Sequence, residues 1–371
     1  MKLIDLTLIN FRNIEKEKIR FKKNINIFYG GNGQGKTSIL EAIYFLGITK
    51  SFRVTDEKAV VKTGGNYFDI KGIFEKHNGK TFALRLFFSG ADGKHVFYNN
   101  EKIKTFSSII GTVPIVLLSL EDLGLTYGSP SARRKFIDIL ISQIDANYLQ
   151  SLKQFKKIVL NRNKVLSLIA DKKADFNSLI PWNKQFVEYG AYIHLKRNLI
   201  VKELSSYINK YYQEISATPD PVEIRYQTAI NLDDAMDLEE IKKRLEQRLS
   251  EVYQRDLAYG STTSGPHRED LLFFKNQRPL KIFGSQGENK TFLIGLKFAE
   301  AFLIEKHLQE KPLLLLDDIF SELDRSRIER VLANIKSARQ QTFITTTEVD
   351  KFGKDETEID FFYVINGKIT Q

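Results

Sequence analysis

Apolar and polar residues alternate over residues 3–9, the period of a strand with one buried face. Residues 24–29 read as a second strand that runs straight into a glycine-rich turn, and residues 36–46 are apolar enough for a helix buried against a sheet. Three further strand-like segments, 67–75, 81–88 and 94–98, are separated by Asn78-Gly79 and Asp92-Gly93. Such dipeptides favour tight hairpin turns, so a meander is expected, followed by a buried strand over 113–118. The period then becomes helical. Ser131 is a candidate N-cap for a helix to about residue 144. From residue 146, Tyr148, Leu152, Phe155, Val159, Leu166 and Ile169 fall at alternating steps of four and three, with Arg162 in the one interrupted slot. Residues 171–180 break the pattern and Pro181 can open the next helix, on which Trp182, Phe186, Tyr189, Ile193 and Ile200 continue an apolar face. The two helices predict an antiparallel pair, and a helix-bundle core accounts for both stripes. Pro219 and Pro221 mark a boundary. A strand over 222–226 and a helix over 238–258 follow. After Gly260 the chain turns β-like, then helical over 289–307, and a strand (313–316), a helix (326–337) and a strand (342–346) complete an α/β alternation.

Composition narrows the class. A chain of 371 residues predicts two units, and 42% hydrophobic residues, with 27 Phe and 15 Tyr, can bury a large core. The absence of cysteine excludes disulfides and thiolate metal sites. Asp5, Asn10 and Arg12 break the first apolar stretch too early for an export signal, and no segment approaches the roughly 18 apolar residues of a membrane span, so a cytoplasmic protein with no membrane partner is expected. The net charge of +10 is unevenly spread: residues 131–215 hold 15 Lys or Arg against 7 Asp or Glu. A positive field on one unit suits a polyphosphate partner such as DNA, although a solvated basic surface reads the same way.

Gly30-Gly31-Asn32-Gly33-Gln34-Gly35-Lys36-Thr37 fits G-x-x-x-x-G-K-[ST] between an expected strand and an expected helix. Glycines let the backbone curl so that N–H groups point at phosphate oxygens, and the helix N-terminus adds its positive end. The ligand implied is ATP, with Lys36 neutralising the β- and γ-phosphates and Thr37 ligating Mg²⁺. Four leucines followed by Asp317-Asp318 form a buried strand ending in two carboxylates. Asp317 is the candidate for the metal shell, and Asp318 for orienting or deprotonating the attacking water, so Lys36 and Asp318 are the catalytic candidates. Roughly 280 residues separate the two motifs, which calls for an inserted domain. Upstream of the helix expected at residue 289, Ser285, Gln286 and Gly287 can present a hydroxyl and amides to a phosphate, or Ser285 can serve as an ordinary N-cap. This order of phosphate loop, S-x-G-x helix and acidic strand is that of ABC ATPases, and Ser321-Glu322-Leu323-Asp324 stands where their D-loop stands.

The stretches Leu8-Ile9-Asn10-Phe11-Arg12-Asn13, Leu40-Glu41-Ala42, Ser51-Phe52-Arg53, Gly128-Ser129-Pro130, Arg133-Arg134-Lys135-Phe136-Ile137-Asp138, Gly265-Pro266-His267-Arg268 and Thr345-Thr346-Thr347 surround these motifs in an order that resembles the RecF family over essentially the whole chain. The resemblance implies an α/β fold: an ABC-type, Rad50-head-like P-loop ATPase domain over 1–122 and 260–371, with a mainly α-helical inserted domain over 123–259. It implies an ATP-dependent homodimer in which each phosphate loop faces the other copy's Ser285-Gln286-Gly287. It also implies binding at gapped or single-strand/double-strand DNA, and work with RecR and RecO to load RecA. Arg133, Arg134, Lys135, Lys153, Lys156, Lys157, Arg162 and Lys164 are the DNA-contact candidates. Two departures stand out. Glu288-Asn289-Lys290 replaces the family's usual Gln-Gln-Arg, and Ser119-Leu120-Glu121-Asp122 replaces its Ser-Pro-Glu-Asp. Asp318 is one methylene shorter than the Glu of many ABC ATPases, which implies slow hydrolysis. The competing readings are an ABC-type subunit powering another partner such as a transporter, an ABC-linked nuclease, and an SMC-like tether. The basic insertion disfavours the first. The short stretch after the core disfavours the second, and the short insertion the third.

Overall fold

The computed structural model describes residues 1–232, 237–352 and 358–371, with all their side chains except that of Glu322. In chain order, strands β1 (Lys2–Phe11), β2 (Ile14–Arg20) and β3 (Ile25–Tyr29) lead into helix α1 (Lys36–Ile48). Strands β4 (Tyr67–Glu75), β5 (Thr81–Ser89), β6 (Gly93–Tyr98), β7 (Glu101–Lys102) and β8 (Ile115–Leu118) follow. Helices α2 (Leu123–Tyr127), α3 (Pro130–Ile144), α4 (Ala146–Ala170) and α5 (Ile180–Ser216) come next, then β9 (Val222–Gln227), α6 (Leu238–Glu251), α7 (Tyr253–Tyr259), β10 (Asp270–Lys275) and β11 (Arg278–Pro279). The chain closes through α8 (Leu280–Phe283), α9 (Gln286–Leu308), β12 (Leu313–Asp317), α10 (Arg325–Ala338), β13 (Thr342–Thr346), β14 (Ile359–Ile365) and β15 (Lys368–Thr370). No helix among the described residues is long and apolar enough to cross a membrane.

The chain divides into two compact units. The first comprises Met1–Leu123, Lys210–Pro219 and Gln286–Gln371. It holds a sheet in the order β15-β14-β3-β13-β12-β8, parallel except for β15, and an antiparallel sheet in the order β2-β1-β4-β5-β6-β7. Helix α1 packs against strands of both sheets, which is why it is apolar nearly all round. The parallel register sets Thr345 beside Asp317 and Thr346 beside Tyr29, so the carboxyl ends of β3, β12 and β13 lie level. Ligands of open α/β sheets bind at that edge.

The second unit comprises Gly124–Asn209 and Asp220–Ser285. Helices α4 and α5 run antiparallel within it: Arg162 meets Asn183, Phe155 meets Phe186, and Asp145 meets Tyr192. Several expectations are corrected here. Helix α3 starts two residues earlier, with Pro130 at its first position and Ser129, not Ser131, as its N-cap. The helix expected over 238–258 is two helices broken at Val252. The return to the first unit comes after Ser285 rather than at 260, because β10 pairs with β9 from Asp270↔Gln227 to Lys275↔Val222. Residues 210–219 group with the first unit instead of the insertion.

Candidate nucleotide site

Between β3 and α1 the phosphate loop turns through three glycines with positive φ: Gly30 (146°), Gly33 (76°) and Gly35 (113°). Gly30 has a second constraint, since a Cβ there would sit 2.3 Å from the Val364 carbonyl oxygen on β14. The loop is tied from outside. Asn13 Nδ2 donates to the Gln34 carbonyl at 2.9 Å, the Gly367 amide donates to the same oxygen at 2.9 Å, and the Asn366 amide donates to the Gln34 side chain at 2.7 Å. Gly31, Asn32 and Gly33 form the exposed tip. Lys36 is buried and its ammonium donates to the Gly30 and Gly31 carbonyls, both at 2.7 Å. Burial holds its pKa below the usual lysine range, against the attraction of Asp318 and Asp317. A lysine so placed favours an arriving anion.

The acidic strand lies where sequence spacing put it. Thr37 Oγ1 donates to Asp317 Oδ1 at 2.9 Å, joining residues 280 positions apart. The same oxygen accepts from Thr345 Oγ1 at 2.7 Å, and the Thr345 hydroxyl accepts from the Asp318 amide at 2.9 Å. Asp318 has a left-handed backbone, φ 52°, rare for a non-glycine residue. One of its carboxylate oxygens is buried with no hydrogen-bond partner among the described residues. Burial raises the carboxyl pKa of Asp317, against the pull of the Thr345 and Thr37 hydroxyls. Burial also raises that of Asp318, with Asp317 adding to it. Two carboxylates at one strand end, one of them with an orphaned oxygen, and the Thr37 hydroxyl beside them are a hard-oxygen donor set, which fits Mg²⁺. Ser321 Oγ donates to the Asp318 carbonyl at 3.0 Å, Leu323 is buried, and Asp324 caps α10 by accepting from the Arg327 amide at 2.9 Å. The side chain of Glu322, the remaining D-loop candidate, lies outside the described residues.

Sequence reasoning missed two supports of this site. Glu41, fully buried on α1, accepts from Arg12 through both oxygens (2.9 and 2.6 Å) and from Ser51 Oγ (2.5 Å), with Arg53 at 3.5 Å. This cluster fixes the chain preceding Asn13 to the phosphate-loop helix. A glutamate in an otherwise apolar helix was its signal. The other support is the β14–β15 hairpin, flagged by Asn366-Gly367 after a run of strand formers.

Of the remaining candidates, Gln286 and Gly287 lie in the first turn of α9, which begins three residues earlier than expected. The Gly287 carbonyl accepts from Thr291 Oγ1 at 2.8 Å, and a Cβ at 287 would meet the Arg327 guanidinium at 3.1 Å. Ser285 ends the second unit. Among the basic candidates, Lys135, Lys156, Lys157 and Lys164 are exposed, and Lys153 and Arg134 are half-buried. Arg134 donates to the Glu269 carbonyl at 2.6 Å. Two of the expected DNA contacts are corrected. Arg133 is buried and forks onto Asp270 at 2.7 and 2.8 Å. Arg162, 0% exposed, donates to Asp256 and Thr262 at 2.7 and 2.8 Å. Both guanidiniums serve internal carboxylates. His267 and Arg268 face the Thr262 carbonyl at 3.0 and 3.2 Å and so hold a turn.

Residues 2–370 match the family model described as RecF/RecN/SMC N terminal domain. The DNA replication and repair protein RecF of Thermoanaerobacter sp. (strain X514) is 39% identical over 367 residues, 98% of each chain. That of Enterococcus faecalis is 38% identical over 373 residues, spanning 100% of this chain and 98% of the relative. A solved structure of "the recombination mediator protein RecF-ATP in RecFOR pathway" superposes with a TM-score of 0.90 at 33% identity, over 99% of this chain and 96% of that one. An Smc head bound to the C-winged helix domain of ScpA shares the fold, with a TM-score of 0.58 at 16% identity over 100% of this chain and 97% of that one. These relatives disfavour the transporter reading. The chain belongs to the RecF family of DNA replication and repair proteins, with an ABC-type ATPase fold.

Proposed function

We propose that this chain is an ATP-switched DNA clamp of recombinational repair. The observation that carries the ATP half is the convergence of Lys36, Thr37, Asp317 and Asp318 on one strand edge. Lys36 and the loop amides bind the triphosphate, Thr37 and Asp317 hold Mg²⁺, and Asp318, whose carboxyl is raised toward proton uptake, orients the attacking water. Mg²⁺ supplies charge neutralisation at the β- and γ-phosphates. The Ser285-Gln286-Gly287 segment completes the site of a second copy, so dimerisation follows the γ-phosphate and slow hydrolysis releases it.

The DNA half rests on the family's repair role and on the exposed lysines of α3 and α4. Exposed Lys157 and Lys164 recur at helical spacing on α4, as a phosphate-tracking stripe would. Gapped or single-strand/double-strand DNA is the ligand, RecR and RecO are the partners and RecA the recombinase loaded. The cytoplasm is the compartment this role requires. Fluorescence anisotropy on a gapped duplex, with ATP, with ADP and with neither, tests the coupling. ATP should tighten binding and Lys36→Ala should abolish the increment. Equal binding in every nucleotide state refutes the clamp.

A further inference from the structure

The left-handed backbone of Asp318 is a strained conformation for an aspartate, and such a residue keeps it only where its neighbours over-determine it. Two bonds hold it. The Asp318 amide donates to Thr345 Oγ1 at 2.9 Å, and its carbonyl accepts from Ser321 Oγ at 3.0 Å. Thr345 is fixed in β13, in the middle of the parallel sheet. Ser321 has no such support, because it lies in a single 3-10 turn, Phe320–Glu322, beyond the end of β12. What holds that turn therefore decides whether the Asp318 carbonyl keeps its clamp.

The hold comes from the chain after β13, where a second 3-10 turn spans Val349–Phe352. The buried Phe352 ring meets the buried Phe320 ring edge-on, with centroids 4.9 Å apart. That contact joins the two turns but does not orient their main chains. Lys351 does. Its ammonium donates to the Phe320 carbonyl at 3.2 Å and to the Ser321 carbonyl at 3.4 Å, two and three positions after Asp318. Glu348 pairs with the same ammonium, and the Glu348 amide donates to Thr346 Oγ1 at 3.0 Å, which ties the pair to the end of β13. The Lys351 side chain is 31% exposed. A lysine at the surface ordinarily extends into water, where its charge is hydrated and its rotamers are free. This one folds back onto two carbonyls of another segment, and charge-assisted bonds of that kind are stronger than neutral ones.

We propose that Lys351 is a positioning residue for ATP hydrolysis: it clamps the Phe320 and Ser321 carbonyls, keeps Ser321 Oγ on the Asp318 carbonyl, and so holds Asp318 where it orients the attacking water. Glu348 tethers the ammonium in place. The inference rests on the nucleotide-site reading above. Binding of the triphosphate depends on Lys36, Thr37 and the loop amides, which stand on a different segment, so the loss of Lys351 falls on the chemical step.

The test measures Mg²⁺-dependent ATP hydrolysis and nucleotide affinity on the full chain. Lys351→Met should lower kcat by about tenfold and leave KM, and the Kd of a fluorescent ATP analogue, within about twofold. Affinity for ADP with aluminium fluoride, which mimics the phosphoryl group in transfer, should also fall by about tenfold. Lys351→Arg should restore both, since a guanidinium can donate to the same carbonyls. In a Ser321→Ala background, Lys351→Met should cost less than about twofold more, because the two residues act through one bond. Urea unfolding checks folding. Should Lys351→Met not fold, Glu348→Gln, which weakens the tether and leaves the ring contact intact, should lower kcat by about threefold at unchanged KM. Unchanged kcat and unchanged aluminium fluoride affinity in a folded variant overturn the proposal. So does a fall in affinity for the ATP analogue as large as the fall in kcat, or full additivity with Ser321→Ala. A wild-type chain that binds no ATP analogue refutes the nucleotide reading itself, whereas wild-type binding and hydrolysis that Lys351→Met leaves untouched overturn the positioning role alone.

Discussion

Thr345→Val isolates the hydrogen-bond relay that organises the acidic strand. Thr345 is 1% exposed, and its single hydroxyl both donates to Asp317 Oδ1 at 2.7 Å and accepts from the Asp318 amide at 2.9 Å. Valine keeps the shape and loses both bonds. A hydrogen bond to a charged group contributes about 1.5–3 kcal/mol, and a buried amide left unpaired costs about 1–3 kcal/mol. Asp317 keeps its bond from Thr37 and the site can relax, so the two terms do not add fully. The expected loss of stability is about 2–4 kcal/mol. There is a second, chemical consequence. Burial raises the Asp317 carboxyl and the two hydroxyls pull it down, so removing one raises it further. Less carboxylate is then available to a cation, and Mg²⁺-dependent nucleotide binding should weaken most at low pH. Urea unfolding measures the first effect. Titration of Mg²⁺ against a fluorescent ATP analogue across a pH series measures the second. Thr345→Ser should restore both. A stability change under about 0.5 kcal/mol, or Mg²⁺ curves that superimpose at every pH, would refute the relay.

Other perturbations separate structural charges from functional ones. Arg162→Met strands Asp256 in the interior and should cost about 3–5 kcal/mol in urea unfolding, whereas Lys156→Glu with Lys157→Glu should leave stability within about 0.5 kcal/mol and weaken duplex binding in anisotropy. Lys297, 3.1 Å from Glu300 and 3.6 Å from Asp122, offsets a glutamate that burial raises to about 7. The stability that comes from Glu300 being buried protonated is present below pH 4.5 and lost as pH rises through about 7, and Lys297 limits that loss, so Lys297→Met should steepen it and extend it above neutrality, read from urea midpoints at about pH 6 and about pH 9. His267 is held down to about 4 chiefly by burial, with Arg268, Arg134 and Arg162 adding repulsion. Its contribution is complete above pH 6.5 and lost as pH falls toward about 4, so His267→Gln should flatten the acid limb of urea midpoint against pH.

Local patterns in the sequence carried much of this architecture. The meander was legible from period-two alternation and two hairpin dipeptides, and the phosphate loop from glycine spacing between a strand and a helix. The 280-residue gap between Thr37 and Asp317 called for an insertion, but where the insertion ends was not legible. Residues 270–275 are β-like wherever they belong, and only their pairing with 222–227 assigns them to the second unit. Strand β2 was missed because Glu15-Lys16-Glu17-Lys18 reads as a solvated charge run. It is an edge strand, whose outward residues need no apolar partner.

The hardest distinction was between a basic residue that meets a ligand and one that meets its own fold. Arg162 and Lys157 lie on the same helix within five positions, and composition treats them alike. The difference was present in the heptad pattern, since Arg162 fills an apolar slot between Phe155 and Leu166. A cation in such a slot is buried, and a buried cation requires a carboxylate, here Asp256, 94 residues further on. Nothing local names that partner. Thr345 poses the same problem with opposite sign. Among three consecutive threonines at a strand end, only the parallel register with Asp317 selects which hydroxyl faces the site. Motif spacing thus points to the candidate ligand groups that loop and helix-end geometry would present. The groups that orient them from a neighbouring strand become visible only once the sheet order is known.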